Sequence, residues 1–267
     1  MAVVAIVLLL FPVYYMVAGS FMDLRGILRQ PPTLWPRPAT LRNYTRLLAG
    51  QPVLTWAANT GLVAAGIVVG STAVSAMAGY AFATQSGLAW LYWLFLVSIM
   101  IPRSVLIIPM FVQMRQLHIS GTLWAVIVPA LFYPVGIFLY KNYVETIPRA
   151  MIDCARIDGA SEVRLLRSVI APLSKSALAA IGVMKFVEAL TDYIWQFLVL
   201  LEDERQTWVV GLVGRILMQR GGGSEMNQNA IGLQLAAGTL MFLPLLAAFV
   251  TLQKHFREGV MNGGVRE

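Results

Sequence analysis

Six long apolar segments, each almost free of charged residues, constrain the fold of this 267-residue chain more than any other feature. They cover residues 3–21, 53–82, 88–114, 123–140, 173–201 and 231–253. A helix needs about 20 apolar residues to cross the hydrocarbon core of a bilayer, and these segments are about that long. Charged residues make up 12% of the chain, whereas soluble domains carry roughly 25%. The sequence therefore predicts an all-α integral membrane protein with six transmembrane helices.

The first apolar segment has the length of a secretory signal peptide, but it lacks the other features of one. No basic residue precedes Ala2, and no clear small-residue cleavage site precedes Asp23, where the chain becomes polar. We therefore expect this segment to be a retained membrane helix.

The polar loop 142–172, between the fourth and fifth segments, predicts two short helices with a sharp turn between them. Pro148 suits the start of the first helix, because a proline in the first turn leaves no helical hydrogen bond unmade. That helix is expected to end at Asp158-Gly159, with Gly159 as a left-handed C-terminal cap. Ser161 can cap the second helix, with Glu162 in its first turn. Pro172 then marks the return to the membrane.

The first short helix carries a face of small or slender side chains that can approach another protein closely. Its members are Ala150, Met151, Cys154 and Ala155, and the polar residues predicted to border it are Arg149, Asp153 and Arg156. The alternative interpretation is a solvated loop between membrane helices that has no partner.

Charged residues inside predicted membrane helices are costly and therefore suggest function. Lys185, Glu188 and Asp192 share one face of the fifth segment, and Gln196 lies about one turn further along. One hypothesis makes this face the polar wall of a solute path, with Tyr193 or Trp195 offering an aromatic ring surface. The other is a local Lys185–Glu188 ion pair that fixes the helix against a neighbour. Arg103, which interrupts the third segment, could pair with one of these carboxylates or mark a broken helix.

The chain shows no residues arranged for catalysis or for metal binding. It has no paired carboxylates or histidine cluster, and its single cysteine, Cys154, excludes an internal disulfide. The glycine-rich stretch 221–224 lacks the lysine of a phosphate-binding loop, so we expect a flexible turn there. The net charge of +7 comes from loops and helix ends, where lipid headgroups and partner subunits account for it better than nucleic acid does. The chain is therefore predicted not to be an enzyme and to hold no metal.

The loop resembles a known signature. Residues Asp153-Cys154-Ala155-Arg156-Ile157-Asp158-Gly159-Ala160-Ser161, followed by Pro172, are similar to the EAA loop of permease subunits of binding-protein-dependent ABC importers. Asp153 replaces a glutamate and Cys154 an alanine, whereas Asp-Gly-Ala-Ser is intact. Further segments resemble the carbohydrate branch of that family, the MalG-like and UgpE-like permeases. They are Phe11-Pro12-Val13-Tyr14-Tyr15, Leu41-Arg42-Asn43-Tyr44, Asn59-Thr60-Gly61-Leu62, Ala78-Gly79-Tyr80-Ala81-Phe82-Ala83, Ile101-Pro102, Ile108-Pro109 and Asp192-Tyr193-Ile194-Trp195.

Two positions depart from the pattern of the carbohydrate branch. Leu190-Thr191 stands where Trp-Asn is common, and Ser176 stands where a second proline often follows Pro172. The first departure bears on solute contact in the fifth helix, and the second on a helix bend.

The resemblance implies the fold of a type I ABC importer permease, with one transmembrane domain over residues 1–267. It implies a coupling loop at 142–172, a cytoplasmic tail at 255–267 and both termini in the cytoplasm of a bacterium or archaeon. Charge counts alone do not decide this orientation. The residues implied in coupling to an ATPase are Ala150, Met151, Asp153, Cys154, Ala155, Asp158, Gly159, Ala160 and Ser161. Those expected along the solute path are Arg103, Glu188, Asp192, Tyr193, Trp195 and Gln196.

The resemblance also implies partners. They are a homologous second permease, two ATPase subunits that hold ATP and magnesium, and an extracytoplasmic solute-binding protein facing loops 25–51 and 202–229. The chain itself would hold no cofactor. The expected solute is a sugar or sugar-like compound, with disaccharide, oligosaccharide, amino sugar and glycerol-phosphate all open. The alternative function is a secondary transporter or channel subunit that ATP does not drive.

Overall fold

The computed structural model describes residues 1–49, 51–221 and 230–263, and in these ranges the chain is helical with no β-strand. The prediction of an all-α protein is confirmed. By length and composition, two helices can each cross a membrane, and up to five spans result if three bent helix pairs count as one each. The first helix is apolar but shorter, with Val4–Ser20 as its apolar part. The count of six spans therefore remains a prediction.

The helices belong to two compact units, Met1–Asn59 with Glu202–Ala248 and Thr60–Leu201 with Phe249–Glu267. Helices of the first unit are α1 (Ala2–Ser20), α2 (Leu24–Ile27), α3 (Arg42–Leu48), the beginning of α4 (Val53–Thr84), α14 (Trp208–Gly221) and most of α15 (Ala230–Gly263). Helices of the second unit are the rest of α4, α5 (Ala89–Ile99), α6 (Arg103–Gln116), α7 (Trp124–Ala130), α8 (Pro134–Glu145), α9 (Arg149–Ile157), α10 (Glu162–Leu165), α11 (Ala171–Leu173), α12 (Lys175–Thr191) and α13 (Tyr193–Val199).

In the first unit, asparagine side chains join helix ends to loops. The Asn43 amide on α3 donates hydrogen bonds of 2.8 and 2.9 Å to the carbonyl oxygens of Ser20 and Met22 at the end of α1. Asn59 does the same for loop 202–206, at 2.9 Å to the carbonyls of Glu204 and Gln206. Such bonds satisfy backbone groups that helix ends and loops leave unpaired.

In the second unit, the predicted third and fourth membrane segments are each broken, and the fifth begins at a bend after the loop helices. The bends are 106° between Ile99 and Arg103, 41° between Ala130 and Pro134, and 85° at Ser174. Each of the first two breaks contains a residue that precedes a proline, Ile101 before Pro102 and Tyr133 before Pro134. A residue before proline is disfavoured in the helical region of the backbone dihedral angles.

The predicted helix 173–201 is wrong as a continuous element. The α12 helix ends at Thr191, and α13 begins at Tyr193 after a break at Asp192, whose ψ of 78° is not helical. Residues after the break therefore do not continue the face that Lys185 and Glu188 occupy. This difference decides which of the predicted path residues are accessible.

Close backbone contact between α4 and α8 also shapes the second unit. A Cβ added at Gly79 would lie 2.9 Å from both the Ile137 carbonyl oxygen and the Lys141 amide nitrogen. The side chains of Tyr80, Tyr140 and Ile152 pack in the same apolar cluster. The predicted turn at 221–224 and the end of the tail, 264–267, lie outside the described residues, apart from Gly221 at the end of α14.

Candidate functional site

The loop 142–172 folds as the predicted helix pair. Gly159 has a φ of +77°, which a residue with a side chain rarely adopts. The amide of Ala160 donates to the Ala155 carbonyl and that of Gly159 to the Arg156 carbonyl, both at 3.0 Å. This pair of bonds is the Schellman motif that ends many helices. Ser161 then caps α10, because its Oγ accepts from the Arg164 amide at 3.4 Å.

The second helix of the pair continues through Pro172, where the sequence predicts the return to the membrane. After α10 comes a single π-helical turn, Leu166–Ile170, and then α11, so the helical path extends to Leu173. The chain bends at Ser174, whose hydroxyl lies 2.8 Å from both the Ile170 carbonyl and the Tyr140 hydroxyl. Pro172 therefore lies inside the last turn, and the bend follows it.

The α9 helix presents two different faces. Ala150, Met151 and Cys154 are exposed on its outer face, as the sequence predicts. Ile152 is buried, and Ala155 packs against the same apolar cluster, so Ala155 faces inward and does not belong to the outer face. The sequence pattern does not single out Ile152, although it lies three residues before Ala155 and so marks the inward side of the helix.

The polar residues predicted to border the outer face lie together on one side of α9. Arg149, Asp153 and Arg156 line a cavity of about 740 Å³ together with the ends of α4 and α8 and the start of α5. Because these three residues follow one another at spacings of four and three, they share one side of α9. Asp153, assigned to coupling from the sequence, thus faces this cavity.

Two apolar residues at the turn extend the outer face. Ile157 is 84% exposed at the end of α9, and Val163 is 76% exposed in α10. Large apolar side chains held so far into solvent on either side of a rigid turn are typical of a contact surface. Their only sequence signal is that they are apolar residues in a polar loop beside Asp158-Gly159.

Three side chains connect the loop to α4. The Tyr80 hydroxyl donates to Glu162 Oε2 at 2.5 Å, and Arg156 Nε donates to Glu162 Oε1 at 3.1 Å. Hydrogen bonds from Tyr80 and then Arg156 hold the pKa of the Glu162 carboxyl below its usual value. We refer to Tyr80, Arg156 and Glu162 as the loop clasp.

The second candidate site is a network of charged side chains between α6 and α12. Arg103 contacts Glu188 at 2.7 Å through Nη1 and Asp192 at 2.8 Å through Nη2. The other Glu188 oxygen accepts from Lys185 at 2.7 Å, and the Lys185 ammonium lies 4.6 Å from the centre of the Tyr133 ring. Two cations thus balance two carboxylates, which lowers the cost of placing them in a membrane helix.

This network contains both arrangements that the sequence left open. The Lys185–Glu188 ion pair is present, with Lys185 only 2% exposed. Arg103 is the first residue of α6, which forms the second half of the broken third segment. It binds both carboxylates, while its own side chain remains 43% exposed. Lys185 is thus a packing element of the network, and Arg103 is its accessible donor.

Trp195 and Gln196 are not accessible. Trp195 is buried in an apolar cluster and its Nε1 donates to the Ala125 carbonyl at 3.1 Å. Gln196 is also buried, and its amide donates to the Ala189 carbonyl at 2.8 Å, one of the groups that the end of α12 leaves unpaired. Tyr193 is half-buried beside Phe197. The predicted ring surface at Trp195 is therefore wrong for this structure, because the break at Asp192 turns it into the core.

Comparison with known proteins gives consistent results over nearly the whole chain. Residues 63–262 match the family described as "Binding-protein-dependent transport system inner membrane component". The arabinooligosaccharides transport system permease protein AraQ of Halalkalibacterium halodurans is 29% identical over 96% of this chain and 91% of its own length. The sn-glycerol-3-phosphate transport system permease protein UgpE of Brucella abortus is 27% identical over 97% of this chain and 93% of its own length.

A solved structure has the same fold. A chain of a bacterial ABC transporter involved in the import of the acidic polysaccharide alginate superimposes with a TM-score of 0.80 at 21% identity, covering 95% of this chain and 92% of its own. The helix pair with its Asp158–Ser161 turn and the family match over three quarters of the sequence lead to one conclusion: the chain belongs to the family of inner membrane components of binding-protein-dependent transport systems, the permease subunits of ATP-driven importers.

Proposed function

We propose that this chain forms half of the translocation path of an ATP-driven importer for a sugar or sugar-like solute. The observation that carries the proposal is the helix pair of loop 142–172, with its Schellman turn and exposed outer face. A helix pair with a defined turn and exposed apolar side chains on both sides of it suits a groove on a second protein. A secondary transporter or channel has no use for such a helix pair.

The docking surface for the ATPase subunit is the outer face of α9 continued across the turn. Ala150, Met151 and Cys154 form its first part, and Ile157 and Val163 its second. Asp158, Gly159, Ala160 and Ser161 set the angle between the two parts through the Schellman bonds and the serine cap. ATP and magnesium bind to the two ATPase subunits, so this chain needs no cofactor of its own.

The loop 142–172 lies in the cytoplasm, where ATP is available, and both termini lie on the same side of the plasma membrane. The solute-binding protein then docks on the opposite face of the membrane, at segments 25–51 and 202–229. A homologous second permease completes the path, and this chain acts as a single permease domain. The proline-rich segment 31–38 is exposed or half-buried throughout. It belongs to the extracytoplasmic side of the membrane.

The solute carries hydroxyl groups and meets the charge network. The relatives named above transport arabino-oligosaccharides and sn-glycerol-3-phosphate, and the structural neighbour imports an acidic polysaccharide. Arg103 is the most accessible member of the network, and its guanidinium donors suit hydroxyl or acidic groups. Asp192 contacts Arg103 at the helix break and can add an acceptor, and Tyr193 follows it in the chain and can add a ring surface.

Uptake in proteoliposomes tests this proposal. The chain is reconstituted with its partner permease and ATPase pair, the binding protein is added outside, and ATP is sealed inside. Radiolabelled arabino-oligosaccharides, disaccharides, an amino sugar and glycerol-3-phosphate are supplied in turn. We expect uptake of one class that requires internal ATP and is lost when the ATPase lysine that binds phosphate is replaced. Uptake driven by a proton or sodium gradient without ATP would instead identify a secondary transporter.

A further inference from the structure

The loop clasp joins three parts of the chain that are far apart in sequence. Tyr80 lies near the end of α4, Arg156 lies near the end of α9, and Glu162 is the first residue of α10. Both Glu162 oxygens accept hydrogen bonds, one from the Tyr80 hydroxyl at 2.5 Å and one from Arg156 Nε at 3.1 Å. One carboxylate thus fixes the two loop helices to each other and to a membrane helix.

The position of the clasp matters because the loop helices also pack on α4 through apolar contacts. Ile152, Leu165 and Ile170 are buried in a cluster with Tyr80 and Tyr140. Apolar contacts are not directional, so they resist separation of the loop from α4 but resist sliding less. Hydrogen bonds to a charged group are directional and stronger than neutral ones. The clasp therefore adds resistance to sliding at the point where the loop helices meet.

Tyr80 is well placed to receive a displacement. It is 5% exposed and packs among apolar residues, so its ring is held while its hydroxyl reaches the loop. Its helix, α4, continues without interruption from Val53 to Thr84. The residue directly before it, Gly79, brings α4 into backbone contact with α8. A displacement applied to Glu162 therefore acts on two membrane helices that are packed closely together.

We propose that Tyr80, Glu162 and Arg156 are positioning residues for energy coupling: they fasten the loop to α4, so that ATPase movement displaces α4 and the loop as one body. The proposal deepens the proposed function and depends on it. It predicts that ATP changes the position of the loop and α4 together and leaves the distance between them unchanged. Without the clasp, the loop moves and α4 is left behind.

Distance measurements within this chain test the proposal directly. Ketone-bearing amino acids replace Met77, exposed on α4, and Ser168, exposed in the second loop helix, and both carry nitroxide labels. Distances are measured by pulsed electron resonance in the complete transporter, without nucleotide and after trapping with ATP and vanadate. We expect coincident distance distributions in the native chain. We expect a shift on trapping in the Tyr80→Phe variant.

Matched variants separate the clasp from general damage. Tyr92 contacts Phe82 and the Lys141 ammonium through its ring, so Tyr92→Phe removes the same atom and should show no shift. Glu145 pairs with Lys141 on its own helix at 2.7 Å, and Glu145→Gln serves as the control for Glu162. Glu162→Gln keeps an acceptor for the tyrosine hydroxyl and should shift less than Glu162→Leu.

The outcomes distinguish this inference from the proposed function. If the chain does not assemble with an ATPase, the proposed function fails. If it assembles but the native distance itself shifts on trapping, or if Tyr80→Phe and Glu162→Leu behave as the native chain, the clasp does not transmit movement. If the Tyr80→Phe distance already differs without nucleotide, Glu162→Leu decides the question, and it must show the shift only after trapping for the inference to hold.

Discussion

Replacement of Gly159 isolates the contribution of a single backbone conformation to coupling. Gly159 has a φ of +77°, and no heavy atom lies within 4 Å of the position that a Cβ would take. A side chain there meets no steric obstacle, so the cost is that of the left-handed conformation alone, roughly 1–2 kcal/mol. Asparagine tolerates this region best and a β-branched residue worst. Because each 1.4 kcal/mol is about a tenfold change in an equilibrium, alanine should reduce the docking-competent loop by about fivefold to thirtyfold, and valine by more.

The assay is the affinity of the solubilised permease pair for its ATPase subunit, measured for Gly159→Asn, Gly159→Ala and Gly159→Val. We expect affinity to fall in that order, with uptake following it. Gly87 provides the control, because it also has open space around it and no positive φ. The same three changes at Gly87 should leave the affinity close to native. Asparagine and valine are similar in size, so an asparagine variant as weak as the valine variant would point to crowding by a partner. A valine variant with native affinity would refute the role of the turn.

Three further predictions concern stability and local order. Gly79→Ala places a methyl group against the backbone of α8 and should destabilise the protein by about 1–3 kcal/mol, measured as a lower thermal midpoint. Gly61→Ala is the control, because nothing lies within 4 Å of its added methyl group, and it should not lower the midpoint. Arg103→Met leaves Asp192 without its cation and should lower the yield of folded protein and its thermal midpoint. Adding Asp192→Asn should recover part of that loss. If the effects of the two substitutions on the midpoint simply added, the network would be contradicted. Ser161→Ala removes the cap of α10, worth about 1 kcal/mol, and should speed amide hydrogen exchange at residues 162–165 only.

The loop geometry could be predicted because proline, glycine and serine have specific backbone requirements. Pro148, Gly159 and Ser161 each fit one position of a helix end, and the structure places them there. The pairing of Arg103 with carboxylates of the fifth segment was also among the hypotheses, since buried charges need partners. In both cases a strong local rule left few alternatives.

The break at Asp192 had no such signal. Neither glycine nor proline marks it, and the spacing of Lys185, Glu188 and Asp192 was interpreted as one face of a continuous helix. Tertiary packing instead turns Trp195 and Gln196 into the core, where the Gln196 amide compensates the open end of α12. Residue spacing predicts a shared helix face only where the helix is continuous.

The loop clasp could not be predicted either, for a different reason. Tyr80 and Glu162 are 82 positions apart, and neither residue is unusual where it stands. Only the fold, with α4 and α8 in backbone contact beside the loop, places the hydroxyl next to the carboxylate. Contacts between distant segments carry no local pattern that a single sequence can reveal.

Cross-linking from Cys154 is the most direct test of the central claim, that loop 142–172 docks on a separate ATPase. Cys154 is the only cysteine of the chain and is exposed on the outer face of α9. A photoactivatable maleimide on this thiol should capture the co-expressed ATPase subunit in membranes. The same reagent on Arg37→Cys in a Cys154→Ser chain should capture the binding protein instead. Capture of the binding protein from Cys154, or no capture of the ATPase in an assembled complex, would contradict the account.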